Sequence, residues 1–289
     1  MLKSILQIMR PRQWVKNVIV FFALVFDKQL FQFEPALRTL AGFALFSLIS
    51  SAVYIFNDIA DIDADRQHPK KKLRPLPSGK LPINVARGFG VFLVLLVLPT
   101  AYFLAPALSA VLTIYFVMML AYTSRLKHIP ILDVLVLATG FVLRVHSGVT
   151  LINVERFSPW LYVITTLGAL YLGFGKRRAE LALLQDGAKS HRRVLDGYTI
   201  PLLDQFITIV SSTTILAYSL YTFTAPTLPD NHTMMLTIPF VIYAIFRYLY
   251  LIQVSQVTGA PEEVVLTDRP LQITIILWGI AAMAVFYLS

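Results

Sequence analysis

Apolar runs of helix-spanning length recur nine times along this chain, near 17–33, 38–56, 84–104, 107–123, 131–152, 160–175, 201–224, 234–254 and 271–288. A hydrocarbon core about 30 Å thick takes roughly 20 helical residues. Only helices or closed barrels satisfy their backbone polar groups there. The pattern predicts an all-α polytopic membrane protein with nine transmembrane helices. Composition closes off the alternatives. Charged residues make up 14% of the chain and apolar ones 57%, whereas soluble domains carry about 25% charged residues. So few charges do not cover a water-facing surface of this size, which excludes a disordered chain, a coiled coil and a soluble nucleic-acid binder. The longest polar stretches, about 57–83 and 176–200, are too short for a soluble domain, so residues 1–289 read as a single transmembrane domain. There is no Cys, hence no disulfide, thiolate metal site or Cys nucleophile. The first residues lack the apolar core and small-residue cleavage site of a signal peptide.

Charge then orients the spans. Of 25 Lys and Arg, 21 fall at the N-terminus, in the connections that follow even-numbered runs or, as Arg87 and Arg247, within the runs that border them. Lys28, Arg38 and Arg156 lie on the other side, and Arg144 lies inside the fifth run. The positive-inside rule places the N-terminus and the basic loops in the cytoplasm. Nine spans put the C-terminus outside, and the location is the cell membrane. The net charge of +9 therefore gathers on one face. Anionic headgroups explain part of it. An anionic substrate is the stronger reading because acidic residues are mixed into the same loops.

The connection after the second run reads Asn57-Asp58-Ile59-Ala60-Asp61-Ile62-Asp63-Ala64-Asp65-Arg66. At about 100° per helical residue, Asn57, Asp58, Asp61 and Asp65 share one face roughly 100° wide, and Asp63 points the other way. Carboxylates held this close repel unless a cation sits among them. Oxygen ligands without His or Cys suit Mg²⁺, which uses one or two carboxylates and leaves positions for water and phosphate. A solvated acidic loop is the plain alternative, but it does not explain the helical register. A basic, Pro-rich segment follows, Arg66-Gln67-His68-Pro69-Lys70-Lys71-Lys72-Leu73-Arg74-Pro75-Leu76-Pro77-Ser78-Gly79-Lys80. Cations beside a metal site can clamp phosphate oxygens. Arg66 and Arg74 are the candidates, with Lys70–Lys72 read as membrane-surface charge.

Three more segments carry chemistry. Tyr171-Leu172-Gly173-Phe174-Gly175-Lys176-Arg177-Arg178-Ala179-Glu180 places Lys176 and Arg177 at i,i+4 and i,i+3 from Glu180. Either an ordinary helix-surface pair, worth a few tenths of a kcal/mol, or a second pole of the site fits that spacing. Arg10-Pro11-Arg12-Gln13-Trp14-Val15-Lys16-Asn17 suits an interfacial anchor with Trp14 at headgroup depth, and also suits delivery of cations to the cytoplasmic mouth. Arg144 within an apolar run defaults to a paired or functional interior role. No phosphate-binding P-loop and no Gly-x-Ser-x-Gly elbow is present.

Asn57-Asp58-x-x-Asp61-x-x-x-Asp65-Arg66 followed by Arg74-Pro75-x-Pro77-Ser78-Gly79 resembles the first signature of the UbiA superfamily of intramembrane prenyltransferases. That resemblance implies nine helices around a central cavity, cytoplasmic caps from loops 57–83 and 176–200, and Mg²⁺-bound pyrophosphate. Typical members carry two Asp in the second motif, and this chain has Lys176-Arg177-Arg178-Ala179-Glu180 instead. That version, with the Arg10–Asn17 segment, Leu143-Arg144 and Pro261-Glu262-Glu263…Asp268-Arg269…Leu271-Gln272, is similar to the decaprenyl-phosphate phosphoribosyltransferase branch. The resemblance implies phosphoribosyl pyrophosphate (PRPP) as donor and a polyprenyl phosphate as acceptor, for cell-envelope precursors. It implies Asp58 and Asp61 as catalytic residues, with Asn57, Asp58, Asp61 and Asp65 about the metal. Implied substrate-binding residues are Lys16, Asn17, Arg66, Arg74, Arg144, Tyr171, Lys176, Arg177 and Glu180. Extra cations at the second pole suit the donor's second charged end, its 5-phosphate. Expected partners are PRPP, the lipid phosphate and the membrane, with a homo-oligomer possible and no nucleic acid. A prenyltransferase acting on an aromatic acceptor is the alternative enzyme. A cation transporter is more remote, because ionisable residues are scarce within the runs.

Overall fold

Every regular element among the described residues is helical. The computed structural model describes residues 1–67, 71–154, 158–185, 193–254, 264 and 267–288. In order these form α1 (Leu2–Met9), a 3₁₀ helix (Pro11–Phe21), α2 (Phe22–Phe26), α3 (Phe33–Ala60), α4 (Ile62–Gln67), α5 (Ile83–Leu104), α6 (Pro106–Ser124), α7 (Leu132–Val149), α8 (Trp160–Gln185), α9 (Ile200–Thr224), α10 (Ile238–Gln253) and α11 (Arg269–Leu288). Among the described residues, seven segments are long and apolar enough to cross a membrane: α3, α5, α6, α7, α9, α11 and Thr233–Gln253, which contains α10. They account for seven of the nine apolar runs. The sixth run is the start of α8, whose 26 residues continue ten beyond it and put Lys176–Glu180 on a helix rather than in a loop. The first run takes a different form, the 3₁₀ helix and α2.

The local reasons are visible in the chain. Arg10 ends α1 in the left-handed region at φ 53°, and Pro11 behind it cannot continue an α-helix. Pro106 and Pro201 sit in the first turns of α6 and α9, where a missing N–H costs nothing. Thr199 caps α9, its hydroxyl accepting the Leu202 N–H at 3.3 Å.

The 3₁₀ helix is long at 11 residues, because such runs rarely exceed three or four. Its contacts explain it. Asn17 Nδ2 donates to Ser47 Oγ at 3.0 Å, Trp14 Nε1 donates to Ser51 Oγ at 3.1 Å, and Arg10 pairs with Asp58. The segment thus runs antiparallel to α3. Three 3₁₀ residues rise about 6 Å and four α residues also rise about 6 Å, so Asn17 and Trp14 match Ser47 and Ser51.

The chain divides into two compact units, Met1–Lys127 with Val142–Val154, and His128–Phe141 with Glu155–Ser289. The first has a core of Phe46, Ile49, Val53, Leu108, Leu112 and Tyr115, and a smaller cluster of Ile8, Ile55, Leu76, Leu81 and Leu93. The second packs Tyr171, Phe174, Leu203, Ile207, Tyr248 and Ile252. In the first unit Arg38, one of the three cations outside the basic side, donates to Leu104 O and Leu151 O at 3.0 Å each. Leu104 closes α5, where orphan acceptors and the helix dipole favour a cation, and Leu151 lies two residues past the end of α7. The position of Arg38 therefore has a structural cause.

Candidate active site

At 28 residues, α3 is about 42 Å long, some 12 Å more than the hydrocarbon thickness. Its last turns carry Asn57 and Asp58. Asp61 then caps it, and the chain re-enters helix at Ile62. The register survives the break, because the Asp65 N–H bonds Asp61 O at 2.8 Å. Asp58 and Asp65 are consequently buried (2% and 3% exposed), whereas the Asp63 side chain is 85% exposed.

Both buried carboxylates converge on one guanidinium nitrogen. Arg74 Nη1 lies 3.2 Å from Asp58 Oδ1 and 2.7 Å from Asp65 Oδ2. Arg10 also pairs with Asp58 and stacks over the Tyr54 ring at 5.2 Å. Lys71 Nζ lies 3.6 Å from Asp65 Oδ1. Arg74 is held in place by its loop. Leu76 and Leu81 are buried in the small cluster, and the Leu81 N–H closes on Pro75 O at 3.1 Å. The turn between them needs Gly79, which sits at φ 76°, a region glycine enters without steric cost.

The remaining candidates of this unit divide. Asp61 Oδ1 accepts from Lys127 Nζ at 2.5 Å, and Asn57 Oδ1 accepts from Thr123 Oγ1 at 3.2 Å. Both face the α6 end and the turn after it. Arg66 bonds Asp63 at 3.0 Å on the exposed side and does not join Asp58 and Asp65. The i,i+3 pair forms locally before any longer reach is needed. Asn17 and Arg144 meet, with Arg144 Nε donating to Asn17 Oδ1 at 2.8 Å and Arg144 Nη2 to Tyr115 OH at 2.9 Å. The Arg144 guanidinium also lies over the Phe46 and Tyr115 rings at 5.1 and 4.9 Å. Lys16 is half-buried beside Asn17.

In the second unit, Arg177 is only 2% exposed. Its Nε donates to Asp133 Oδ2 and its Nη1 to Glu180 Oε2, each at 2.6 Å. Tyr171 is buried, donates to Ile245 O at 2.6 Å and packs edge-on against Tyr248, which ties α8 to α10. Lys176 is half-buried. The Pro261-Glu262-Glu263 segment lies outside the described residues. Asp268 receives Arg247 through two bonds, 3.2 and 2.8 Å, and accepts the Leu271 N–H. The Arg247 hydrogen bonds hold its carboxyl below the ordinary range.

The sequence offers Arg10 as part of a basic segment suited to the cytoplasmic mouth and Lys127 as basic-side charge, and it gives Thr123, Asp133 and Tyr198 no site role. Their partners lie 44 to 66 residues away. Only the Arg-Pro-Arg-Gln-Trp string carried a local signal, and it pointed at Arg10 without naming its partner.

Three comparisons bear on this arrangement. The model of the UbiA prenyltransferase family matches residues 18–262. A decaprenyl-phosphate phosphoribosyltransferase of Mycobacterium tuberculosis is 33% identical over 279 residues, covering 95% of this chain and 91% of that protein. One of Corynebacterium glutamicum is 31% identical over 295 residues, covering 99% and 87%. The fold matches a solved UbiA homolog from Archaeoglobus fulgidus bound to GPP and Mg²⁺, with TM-score 0.72, 18% identity, and coverage of 98% of this chain and 99% of that one.

Proposed function

Because this chain belongs to the UbiA prenyltransferase family, we propose that it transfers a 5-phosphoribosyl group from PRPP to a polyprenyl phosphate and releases pyrophosphate. The observation that carries the choice of donor is the identity of about a third to decaprenyl-phosphate phosphoribosyltransferases over nearly the whole chain. In the reaction the bond from ribose C1 to the pyrophosphate oxygen breaks, and a bond from C1 to an oxygen of the lipid phosphate forms. The acceptor oxygen is already anionic, so no strong base is required. Positioning and charge stabilisation carry the rate.

The donor set suits Mg²⁺. Asp58 and Asp65 reach the same guanidinium nitrogen, so two hard anionic ligands already share one cationic centre. Mg²⁺ typically uses one or two carboxylates and fills its shell with water and phosphate. Among the described residues no group of three or more His, Cys, Asp or Glu side chains is gathered closely enough to hold a metal ion, so Asp58, Asp61 and Asp65 do not form one ready-made ligand set. Asp58 and Asp65 would hold the ion, with Asn57 and Asp61 adjacent, and it would neutralise the leaving pyrophosphate. Arg10 and Arg74, which pair with these carboxylates, would supply positive charge to the pyrophosphate oxygens. Lys127 holds Asp61 in place. Arg144, held by Asn17 and Tyr115, is the buried cation of the first unit proposed for an anionic substrate group. Lys176 is the residue of the second motif proposed for the 5-phosphate.

The reaction gives a direct assay. Pyrophosphate release by the purified protein is expected only when Mg²⁺, PRPP and a polyprenyl phosphate are all present. Release without the lipid would mean that PRPP is hydrolysed rather than transferred.

The nine-span topology belongs to the same proposal. It places the N-terminus and this site in the cytoplasm and the C-terminus outside. The chain has no native Cys, so single thiols report sides cleanly. In intact cells a membrane-impermeant maleimide is expected to label Asp230→Cys and not Lys80→Cys. The reverse labelling would invert the topology.

A further inference from the structure

The second motif contains a cation that is locked rather than presented. Arg177 is nearly fully buried between Asp133 and Glu180. Asp133 is itself completely buried and receives a second bond, from Tyr198 OH to its Oδ1 at 2.6 Å. The same Tyr198 oxygen accepts the Ile131 N–H at 2.6 Å. Ile131 stands at φ 70°, a region that is a genuine outlier for a β-branched residue. Such a conformation persists only where its surroundings over-determine it, and it clusters at functional sites. A further constraint comes from Gly197, where an added Cβ would lie 2.2 Å from Pro130 Cγ. The segment before α9 therefore presses on the Ile129–Asp133 turn through Gly197 and bonds it through Tyr198.

Glu180 is the most exposed of the bonded side chains in this series. Its side chain is 27% exposed, against 2% for Arg177 and 0% for Asp133. Burial, and then the Asp133 carboxylate, push the Tyr198 hydroxyl above the usual phenol range, so Tyr198 remains a donor throughout the physiological range.

We propose that Tyr198 and Asp133 are positioning residues that act through Arg177 to fix Glu180, the carboxylate that the second motif contributes to the phosphoribosyl transfer. Arg177 is then the link in the series and not a phosphate ligand. This rests on the function proposed above. It extends that reading to residues outside both signature motifs.

The test is a double-mutant cycle with kcat/KM for PRPP as readout. Tyr198→Phe keeps the ring and removes only the hydroxyl. It is expected to lower kcat/KM about tenfold, the scale of one hydrogen bond to a charged group. In a Glu180→Gln background the same substitution is expected to change kcat/KM by less than about twofold, because residues that act through one another do not add. Gly197→Ala, whose Cβ would displace the turn that carries Ile131 and Asp133, is expected to follow Tyr198→Phe in both backgrounds. An equal loss in both backgrounds would mark Tyr198 as a general fold contact and overturn the proposal. So would an unchanged kcat/KM in the Tyr198→Phe single variant. Wild-type protein that ignores PRPP would remove the function itself, and the proposal with it. That result is distinct because it appears before any substitution is made.

Discussion

Asp58→Asn is expected to lower turnover by about 10²–10³-fold, the usual range for removing one electrostatic contact aimed at developing charge, while the protein remains folded. Asp58 is the hub of the first site, buried and shared by Arg10 and Arg74. An amide of the same shape removes one of the two carboxylates offered to the metal and leaves two guanidiniums facing a neutral group. Breaking a fully buried ion pair costs about 3–5 kcal/mol because a charge is stranded. Here the strain is smaller, because the Arg10 and Arg74 side chains are 26% and 32% exposed and reach water. Asp63→Asn on the opposite, exposed side is the control and is expected to stay within about twofold, as surface changes do. Steady-state rates of both variants, with elution profiles in detergent, make the comparison. Equal activity for wild type and Asp58→Asn would remove the metal site from this account.

Arg177→Ala is expected to act on stability first, destabilising the protein by about 3–5 kcal/mol. The substitution would strand Asp133, wholly buried, and withdraw a partner from Glu180. The motif alone assigns Arg177 to a substrate phosphate, which would make the expected loss one of PRPP binding in a stable protein. Thermal unfolding of the detergent-solubilised variant separates these outcomes. A Tm equal to that of the wild type, with weakened PRPP binding, would return Arg177 to the substrate.

The helical register of the acidic cluster was legible because a 3.6-residue period leaves its mark on the sequence, and the structure keeps that register through the break at Asp61. Asp58 and Asp65 face inward and Asp63 outward on that account. The partners of those carboxylates were not legible. Arg10 reaches Asp58 across 48 residues, and it does so because the 3₁₀ segment aligns with Ser47 and Ser51, a match of helical rises that no local pattern reports. Arg66 was the nearer candidate and lies apart, since Asp63 three residues earlier takes it. Apolar runs marked the spans well where they form regular helices. The first run carries Asp27 and Lys28 near its end, and it folds as a 3₁₀ segment with a short helix. The charge of Lys176–Glu180 predicts a loop for the second motif, yet α8 continues through it. Packing against Asp133 supplies what the charged sequence lacks.

The central claim is the identity of donor and acceptor, and product mass tests it most directly. Purified protein is incubated with Mg²⁺, PRPP and polyprenyl phosphates of several lengths, and the lipid fraction is analysed by mass spectrometry. A lipid heavier by one phosphoribosyl group, formed with stoichiometric pyrophosphate, is the expected result. No such lipid, together with transfer of a prenyl group from its diphosphate to an aromatic acid by the same preparation, would contradict it.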